Sequence, residues 1–291
     1  MNDNQIKILY ILGGGHSGST VLSLILGAAP EVFNLGELKL YNQHAIDKSA
    51  RWGQAQNTCM CGAGILECPF WSQVSALAAE PEVYYAPGIR GHLQMFARLI
   101  FASQTIDTSG DEQLFREILK VATDIKPTVE FLLDTSKSLP RYIALRSNPN
   151  LAITPIFLVR DGRGYLNSYR KRHKKGFLRW VLQWAAVNFS TSLFLRLTRQ
   201  KYLKVSYAKL CLAPELYLPH IAHSLDIQLP DNYISAVNET VYHVRAGNQA
   251  VLAQKTFHGL THDDQWQKEL SALQRWVANL IIPPLNRLFD K

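Results

Sequence analysis

The chain has 291 residues, 47% of them hydrophobic and 19% charged, a composition that excludes a chain without a core and predicts a well-packed globular protein. Thirty-one Lys and Arg against 23 Asp and Glu leave a formal net charge of +8, which indicates an anionic ligand, a nucleic acid or a membrane surface as partner. The longest later apolar segment, residues 177–200, holds Arg179, Asn188 and Arg196, so we expect no membrane span. With no basic segment before the first apolar run and only four cysteines, we expect a cytoplasmic protein without a secretion signal.

Short apolar runs alternate with helical patterns along the chain. The runs lie in "IKILYILGG", "EFLLDTSK", "ITPIFLVRDG" and "YLKVSYAKL", and a helix-like segment follows each of them through a short turn. This alternation is typical of a mainly parallel sheet with helices on both faces. It predicts a three-layer α/β fold with ligands at the carboxyl ends of the strands.

Residues 38–126 show mostly helical patterns, such as "GHLQMFARLIFAS" and "DEQLFREILKVATDI", and a loop with three of the four cysteines. We expect residues 1–291 to form a single domain in which residues 38–126 are a helical insertion or lid. A polar loop is expected over residues 230–262, followed by a final helix from about Asp263 that bends at Pro283 and Pro284.

The first apolar run ends in "GGGHSGST", which departs from a nucleotide-binding loop at one position. Gly13 and Gly18 match the two glycines of the pattern G-x-x-x-x-G-K-[ST], but Ser19 stands at the position of its lysine. A strand, a glycine-rich turn and a helix N-terminus still form an anion site. The missing lysine predicts an anion without a γ-phosphate, and the alternative is a glycine-rich turn without a ligand.

A second anion site is predicted in "LVRDGRGYLNSYRK". Arg160 ends a strand there, and Ser168 lies eight residues further on, in the following helix. Arg160, Arg163 and Ser168 can therefore reach one phosphate. The alternative for the Arg160–Asp161 pair is a structural salt bridge at a strand end.

These two motifs and a late "HVRAGN" occur in the order found in the sulfotransferases that use 3′-phosphoadenosine 5′-phosphosulfate (PAPS), and the sequence resembles that family. "FNLGELK", "CMCGAGILECPFW" and "LLDTSKSLPRYIAL" are similar to motifs of a microbial branch of it. The resemblance covers residues 12 to about 266. It implies the P-loop-like sulfotransferase fold and transfer of the PAPS sulfonate to an acceptor hydroxyl, with 3′,5′-adenosine bisphosphate as product.

The resemblance also implies the site residues. Those that would wrap the 5′-phosphosulfate are Gly15, His16, Ser17, Gly18, Ser19 and Thr20. Arg160 and Ser168 would hold the 3′-phosphate with Arg163 as a helper, and the late loop that closes over the cofactor would contribute Arg245, Gly247 and Asn248. Glu37 stands where related sequences with a G-E keep their general base, and Lys137 would supply a catalytic cation. The alternative for Glu37 is a carboxylate that neutralises a helix dipole.

Two positions depart from the family pattern. His16 stands where Lys or Arg usually precedes S-G. Histidine titrates near neutrality and a bound anion favours its protonated form, so His16 would either stabilise the departing phosphate or act as the base instead of Glu37. Ala208 stands where a Glu usually follows the tyrosine of "VSYAKL", which makes Tyr207 a lesser site candidate.

The clustered cysteines Cys59, Cys61 and Cys68 admit two interpretations. A zinc site would need a fourth ligand such as His44 or His92, but structural zinc sites prefer C-x₂₋₄-C pairs. We therefore expect a structural lid near the acceptor with buried or reversibly oxidised thiols, and a reaction that requires no metal.

Two other functions fit parts of the sequence. A P-loop kinase or other nucleotide-dependent phosphotransferase would need magnesium, for which Asp134 is the available carboxylate, and a lysine at the position of Ser19. A non-catalytic phosphate-binding or nucleic-acid-binding protein would account for the net charge and for the basic run from Tyr169 to Arg179. If the protein is not of this kind, the basic run is a solvated helix end or a surface that attracts an anionic acceptor. The preferred interpretation expects no nucleic acid. The expected acceptor substrate carries a nucleophilic hydroxyl. The basic, aromatic-containing insertion favours a glycan or another large molecule as this acceptor.

Overall fold

The computed structural model describes residues 5–40, 58–77, 106–172, 176–245, 247–254, 256–262 and 264–290. The strands are β1 (Ile6–Gly13), β2 (Val32–Gly36), β3 (Phe131–Asp134), β4 (Leu151–Val159) and β5 (Leu203–Ser206). The helices are α1 (Ser19–Gly27), α2 (Trp71–Leu77), α3 (Ser109–Ile125), α4 (Leu139–Leu145), α5 (Gly162–Arg172), α6 (Phe177–Leu197), α7 (Tyr207–Leu212), α8 (Pro214–Leu225), α9 (Tyr233–Glu239), α10 (Gln249–Leu252), α11 (Trp266–Glu269) and α12 (Ala272–Asp290).

A five-stranded sheet with the order β2-β3-β1-β4-β5 lies at the centre. Every neighbouring pair is parallel, and Ile8 of β1 lies opposite Leu132 on one side and Ile153 on the other. This confirms the predicted α/β fold. β2 was not among the predicted strands, because Asn34 interrupts its short apolar run. Its side-chain amide is satisfied locally, donating to Ser23 O at 2.9 Å and accepting from Gly36 N at 3.0 Å.

β1 is buried on both faces because helices cover both sides of the sheet. Ile8, Tyr10 and Leu12 point into one core, which they share with side chains of α3, α4, α5, α6 and α12. Leu9 and Ile11 point into the other, which they share with α1, α7, α8 and α9. A central parallel strand of this kind is expected to be a nearly continuous apolar run, as this one is. The result is a three-layer molecule.

The segment expected to be an insertion contributes directly to one of these cores. "DEQLFREILKVATDI" forms α3, as predicted, and buries Leu114, Phe115 and Ile118 in the core beneath the sheet. The Cys-rich loop adds Phe70 and Trp71 to the same core. "GHLQMFARLIFAS", His44 and His92 lie outside the described residues.

The chain after Pro230 holds more helix than the sequence indicated. α9 begins inside the predicted polar loop, where Asn232 caps it by accepting a hydrogen bond from Ser235 N at 3.1 Å. The predicted last helix is divided into α11 and α12, and α12 carries both Pro283 and Pro284. Among the helices described, none combines the length and apolar character that crossing a bilayer requires.

Candidate active site

The candidate active site lies along one edge of the sheet, where the carboxyl ends of the parallel strands meet. The glycine loop follows β1, and the other four strands each lead into a polar residue of interest. These residues are Glu37 after β2, Lys137 after β3, Arg160 after β4 and Tyr207 after β5. The parallel topology thus brings together groups as far apart in sequence as Gly15 and Tyr207.

The glycine loop holds backbone conformations that only a few residues tolerate. Gly18, at the N-terminus of α1, has φ +92°, and His16 has φ +56°. The side chain of Ser17 is buried, and its Oγ has no hydrogen-bond partner among the described residues. Within the described ranges, the backbone N–H groups of Gly15, Ser17 and Gly18 make no hydrogen bond to a backbone carbonyl. Such donors at a helix N-terminus, with the buried Ser17 hydroxyl among them, form a site for an anion.

Two tyrosine rings enclose this loop and explain its glycines. A Cβ on Gly18 would lie 2.1 Å from Tyr207 Cε2, and one on Gly15 would lie 2.9 Å from Tyr169 Oη. The Tyr169 ring also meets the His16 ring edge-on, with centroids 4.7 Å apart. Sequence reasoning missed Tyr169. The available signal was its position four residues after Tyr165 on α5, which places both rings on the face that packs against the loop.

Arg160 connects the loop to α5. Its Nη1 donates to His16 O at 2.6 Å, and its guanidinium lies over the Tyr207 ring, 5.4 Å from the centroid. A Cβ on Gly164 would lie 3.2 Å from Arg160 Nε, and Ser168 Oγ donates to Gly164 O at 3.0 Å. Arg160, just before α5, therefore lies against the face of the helix that carries Gly164 and Ser168.

Arg163 has different surroundings. Its guanidinium binds Asp161 through Nη2 and Oδ2 at 2.6 Å and lies over the Trp266 ring, 4.4 Å from the centroid. Burial raises the pKa of Asp161, but the hydrogen bonds and charge of Arg163 outweigh it and hold that pKa below its ordinary value. These contacts of Arg163 involve neither the loop nor the Arg160–Ser168 pair. A salt bridge of the kind considered for this motif joins Asp161 to Arg163.

Glu37 and Lys137 form a largely buried ion pair. Lys137 Nζ lies 2.7 Å from Glu37 Oε1, and Lys39 Nζ lies 3.8 Å from Glu37 Oε2. Burial raises the pKa of Glu37, but the positive charges of Lys137 and Lys39 prevail, and His16 adds to them, so the pKa is lowered overall. Burial lowers the pKa of Lys137, with the Glu37 charge opposing this. Glu37 is therefore a carboxylate at neutral pH with a cation in contact.

A buried ionic cluster positions Lys137. Asp134 Oδ1 accepts a hydrogen bond from Ser136 N at 2.7 Å, and Asp134 Oδ2 lies 3.6 Å from Arg141 Nε. Arg141 also binds Asp111 of α3 at 2.6 Å. The backbone N–H of Lys137 donates to Ile11 O at 3.1 Å, which fixes the lysine beside β1. Asp134 thus stabilises the turn that carries Lys137.

The late loop reaches the other end of the glycine loop. Asn248 N donates to Thr20 Oγ1 at 3.0 Å, and a Cβ on Gly247 would lie 3.2 Å from the same oxygen. Arg245, which precedes them, is buried. The structure therefore brings the late "HVRAGN" segment against the start of α1.

The three cysteines of the Cys-rich loop lie together with a histidine from the late segment. The side-chain ligand atoms of Cys59, Cys61, Cys68 and His243 are all within 4.8 Å of one another. The histidines considered as partners from the sequence, His44 and His92, lie outside the described residues. His243 was missed because it lies 175 residues after Cys68 and no short spacing links the two.

No family model matches the chain, and no curated protein matches it either. Solved structures do match. The sulfotransferase domain from the Synechococcus PCC 7002 olefin synthase aligns with a TM-score of 0.55 and 18% identity over 100% of this chain and 96% of that one. The sulfotransferase domain from the curacin biosynthetic pathway aligns with a TM-score of 0.48 and 16% identity over 96% of this chain and 98% of that one. Sulfotransferase STF9 from Mycobacterium avium aligns with a TM-score of 0.48 and 14% identity over 99% of this chain and 77% of that one. The described chain therefore has the fold of the olefin synthase sulfotransferase domain.

Proposed function

We propose that this chain is a sulfotransferase that transfers the sulfonate group of PAPS to an acceptor hydroxyl. One observation carries the proposal. The glycine loop with its hydrogen-bond donors, the Arg160–Ser168 face and the Glu37–Lys137 pair all lie at the same edge of the sheet. The fold shared with a sulfotransferase domain supports it.

The residues present fit a nucleotide with two separate phosphate groups. The loop offers the buried Ser17 hydroxyl and several backbone N–H groups to the 5′-phosphosulfate, and no lysine that would suit a γ-phosphate. His16, Ser19 and Thr20 complete this cradle in the proposal. The face formed by Arg160 and Ser168 lies next to the loop and would take the 3′-phosphate. Arg163 would join them only by leaving Asp161.

The late loop would close over the bound nucleotide. Its attachment to Thr20 through Asn248 supports this role, and Gly247 allows the backbone to approach the start of α1. Arg245 would add positive charge. In this proposal residues 1–291 act as one domain, and residues 230–262 form the closing segment.

The reaction would be an in-line transfer. PAPS supplies the sulfonate, and the new bond joins the acceptor oxygen to sulfur while the bond between sulfur and the 5′-phosphate oxygen breaks. Glu37 would accept the proton that the acceptor hydroxyl loses, a contribution of about 10²–10⁴-fold. Lys137, His16 and the loop N–H groups would stabilise the charge that develops on the departing phosphate.

The ion pair suggests how the base becomes active. While Lys137 contacts Glu37, the carboxylate is ionised but weakly basic, because the cation lowers its pKa. An anion bound beside Lys137 would attract the ammonium group and leave Glu37 facing the acceptor. Its pKa would then rise, since burial alone raises it.

A comparison of ligands tests the proposal against its alternatives. We expect 3′,5′-adenosine bisphosphate to bind without metal and more tightly than ATP with magnesium, and labelled sulfonate from PAPS to appear on a hydroxyl-bearing acceptor. Tighter binding of magnesium ATP would support a phosphotransferase instead. Salt-dependent binding to duplex DNA, with no effect of either nucleotide, would support a nucleic-acid-binding protein.

A further inference from the structure

The cysteine–histidine cluster, defined as Cys59, Cys61, Cys68 and His243, has the dimensions of a metal site. A tetrahedral zinc ion, with Zn–S distances of about 2.3 Å and Zn–N of about 2.0 Å, places two sulfurs about 3.8 Å apart and sulfur and nitrogen about 3.5 Å apart. In this chain Cys61 Sγ lies 3.8 Å from Cys68 Sγ. His243 Nδ1 lies 3.3 Å from Cys68 Sγ and 4.0 Å from Cys59 Sγ.

The surroundings of the cluster suit an ion held by thiolates. Cys59, Cys68 and His243 are buried, and Cys61 is partly buried. The backbone N–H of Trp71 points to Cys68 Sγ at 3.5 Å, a donor that would stabilise negative charge on sulfur. The His243 ring lies beside two aromatic side chains, nearly parallel to that of Phe33 with centroids 6.3 Å apart and 5.8 Å from the centroid of Phe70.

The backbone around the cysteines forms a tight turn that directs two sulfurs to one point. Cys59 N donates to Ala63 O at 2.8 Å, and Gly62 N donates back to Cys59 O at 2.9 Å. Gly62 has φ +92°, and a Cβ there would meet nothing within 4 Å. Glycine therefore suits this position because of the left-handed backbone conformation, and a lack of space is not the reason. Cys68 is tied to the same turn by its N–H, which donates to Gly64 O at 2.7 Å.

We propose that this cluster binds one structural zinc ion, with three thiolates and the His243 Nδ1 as ligands. Binding would release the three thiol protons to solvent while the imidazole binds in its neutral form. A disulfide between Cys61 and Cys68 would explain why those two sulfurs lie close together. A tetrahedral ion would explain why the ligand atoms of all four side chains do. Three sulfurs and one imidazole nitrogen also form a donor set typical of structural zinc.

The ion would join two distant parts of the chain. The Cys-rich loop and the late segment already share two hydrogen bonds, from Met60 N to Val244 O at 2.9 Å and from Trp71 Nε1 to His243 O at 2.7 Å. The late segment continues directly to Asn248, which contacts Thr20. Zinc would therefore fix the base of the loop that meets the start of α1. The site itself does not depend on the proposed transferase activity.

Metal content of the full-length chain, purified without a histidine tag, tests the site. We expect about one zinc per chain by elemental mass spectrometry, in keeping with four-ligand structural sites. Cys61→Ser and His243→Ala should lower the zinc affinity at least tenfold in competition with a chromogenic chelator. Cys211→Ser is the matched control, because it removes a thiol outside the cluster and should leave the zinc content unchanged.

A second measurement keeps the proposal testable if these variants fail to fold. Wild-type protein reconstituted with Co²⁺ should show thiolate-to-cobalt charge transfer in the near ultraviolet and intense visible bands from tetrahedral coordination. The proposal is overturned if reduced wild-type protein neither retains nor takes up zinc, if Cys61 and Cys68 are found as a disulfide in place of the metal, or if the cobalt spectrum is octahedral. Undiminished zinc affinity in a folded His243→Ala variant would overturn the ligand assignment.

Discussion

At the scale of single residues, the contact between Glu37 and Lys137 is central to the proposed chemistry. A carboxylate with a lowered pKa stays ionised at neutral pH, so it can accept a proton without first losing one. The same contact limits its basicity. The base would therefore gain strength only when a bound anion draws Lys137 away.

Replacing the carboxylate separates binding from catalysis. We expect Glu37→Gln to lower kcat by about 10²–10⁴-fold, since the variant cannot take the acceptor proton. Its affinity for 3′,5′-adenosine bisphosphate should stay within a few-fold of wild type. Single-turnover transfer and equilibrium titration measure the two quantities. Glu239→Gln, the same change at an exposed position, should alter neither. A Glu37→Gln variant with full activity would exclude Glu37 as the base.

The pH dependence of kcat/KM decides between the two roles of His16. Glu37 has a folded-state pKa below its ordinary 4.5, so it stays charged as the pH falls to that value and gives no acid limb at neutral pH. If His16 acts as a cation, activity should fall as the pH rises through the neutral range and the imidazole loses its charge. His16→Lys should then extend activity to higher pH. Activity that rises through neutrality, and is lost in His16→Lys, would make His16 the base.

At the scale of elements, the β1–α1 loop and the N-terminus of α7 fit together through a glycine. An alanine at Gly18 would have to adopt a left-handed conformation, at a cost of about 1–2 kcal/mol, and its Cβ would collide with Tyr207. We expect Gly18→Ala to abolish measurable nucleotide binding. Gly176→Ala has the same kind of backbone strain, but its nearest neighbour is at an ordinary 3.6 Å, so it should lose stability without losing binding. Titration with 3′,5′-adenosine bisphosphate and thermal unfolding compare the two variants. Equal nucleotide affinity in both would contradict the role given to the loop.

The ionic cluster of Arg141 with Asp111 and Asp134 links α3, β3 and α4. Arg141→Met would leave two carboxylates buried without their cation, and we expect the free energy of unfolding to fall by about 3–5 kcal/mol. Arg116→Met, which breaks an exposed pair with Glu112, should cost no more than about 1 kcal/mol. Urea unfolding measures both losses. A loss in Arg141→Met no larger than in Arg116→Met would show that the cluster does not stabilise the fold.

At the scale of the whole molecule, the sequence predicted the features that repeat along the chain. Apolar runs followed by helical patterns revealed four of the five strands in the described part of the chain, and the glycines with Arg160 and Ser168 marked two strand ends. β2 was missed because Asn34 breaks its pattern, although the side chain is satisfied by Ser23 and Gly36. Local propensity also does not record the pairing of β2 with β3, a strand from a distant part of the chain.

The remaining differences come from contacts over long sequence distances. His243 meets Cys68 from 175 residues away, so no motif spacing could identify it. Tyr169 acquires its position beside Gly15 only when α5 packs against the loop. Arg163 lies three residues after Arg160 in the motif, but it contacts Asp161, Trp266 of α11 and Asn279 of α12. Sequence order placed Arg163 and Tyr169 after β4, and packing decided which of the two side chains lies against the loop.

The central claim is that the glycine loop and the Arg160–Ser168 face hold opposite ends of one nucleotide. The most direct test is the preference of the chain for 3′,5′-adenosine bisphosphate over adenosine 5′-monophosphate, measured by titration calorimetry. We predict a preference of about 10- to 100-fold in wild type, the value of one or two charge-assisted hydrogen bonds, and its loss in Arg160→Ala but not in Arg196→Ala, which removes an exposed arginine. Equal affinity of wild type for both nucleotides, or an unchanged preference in Arg160→Ala, would contradict the claim.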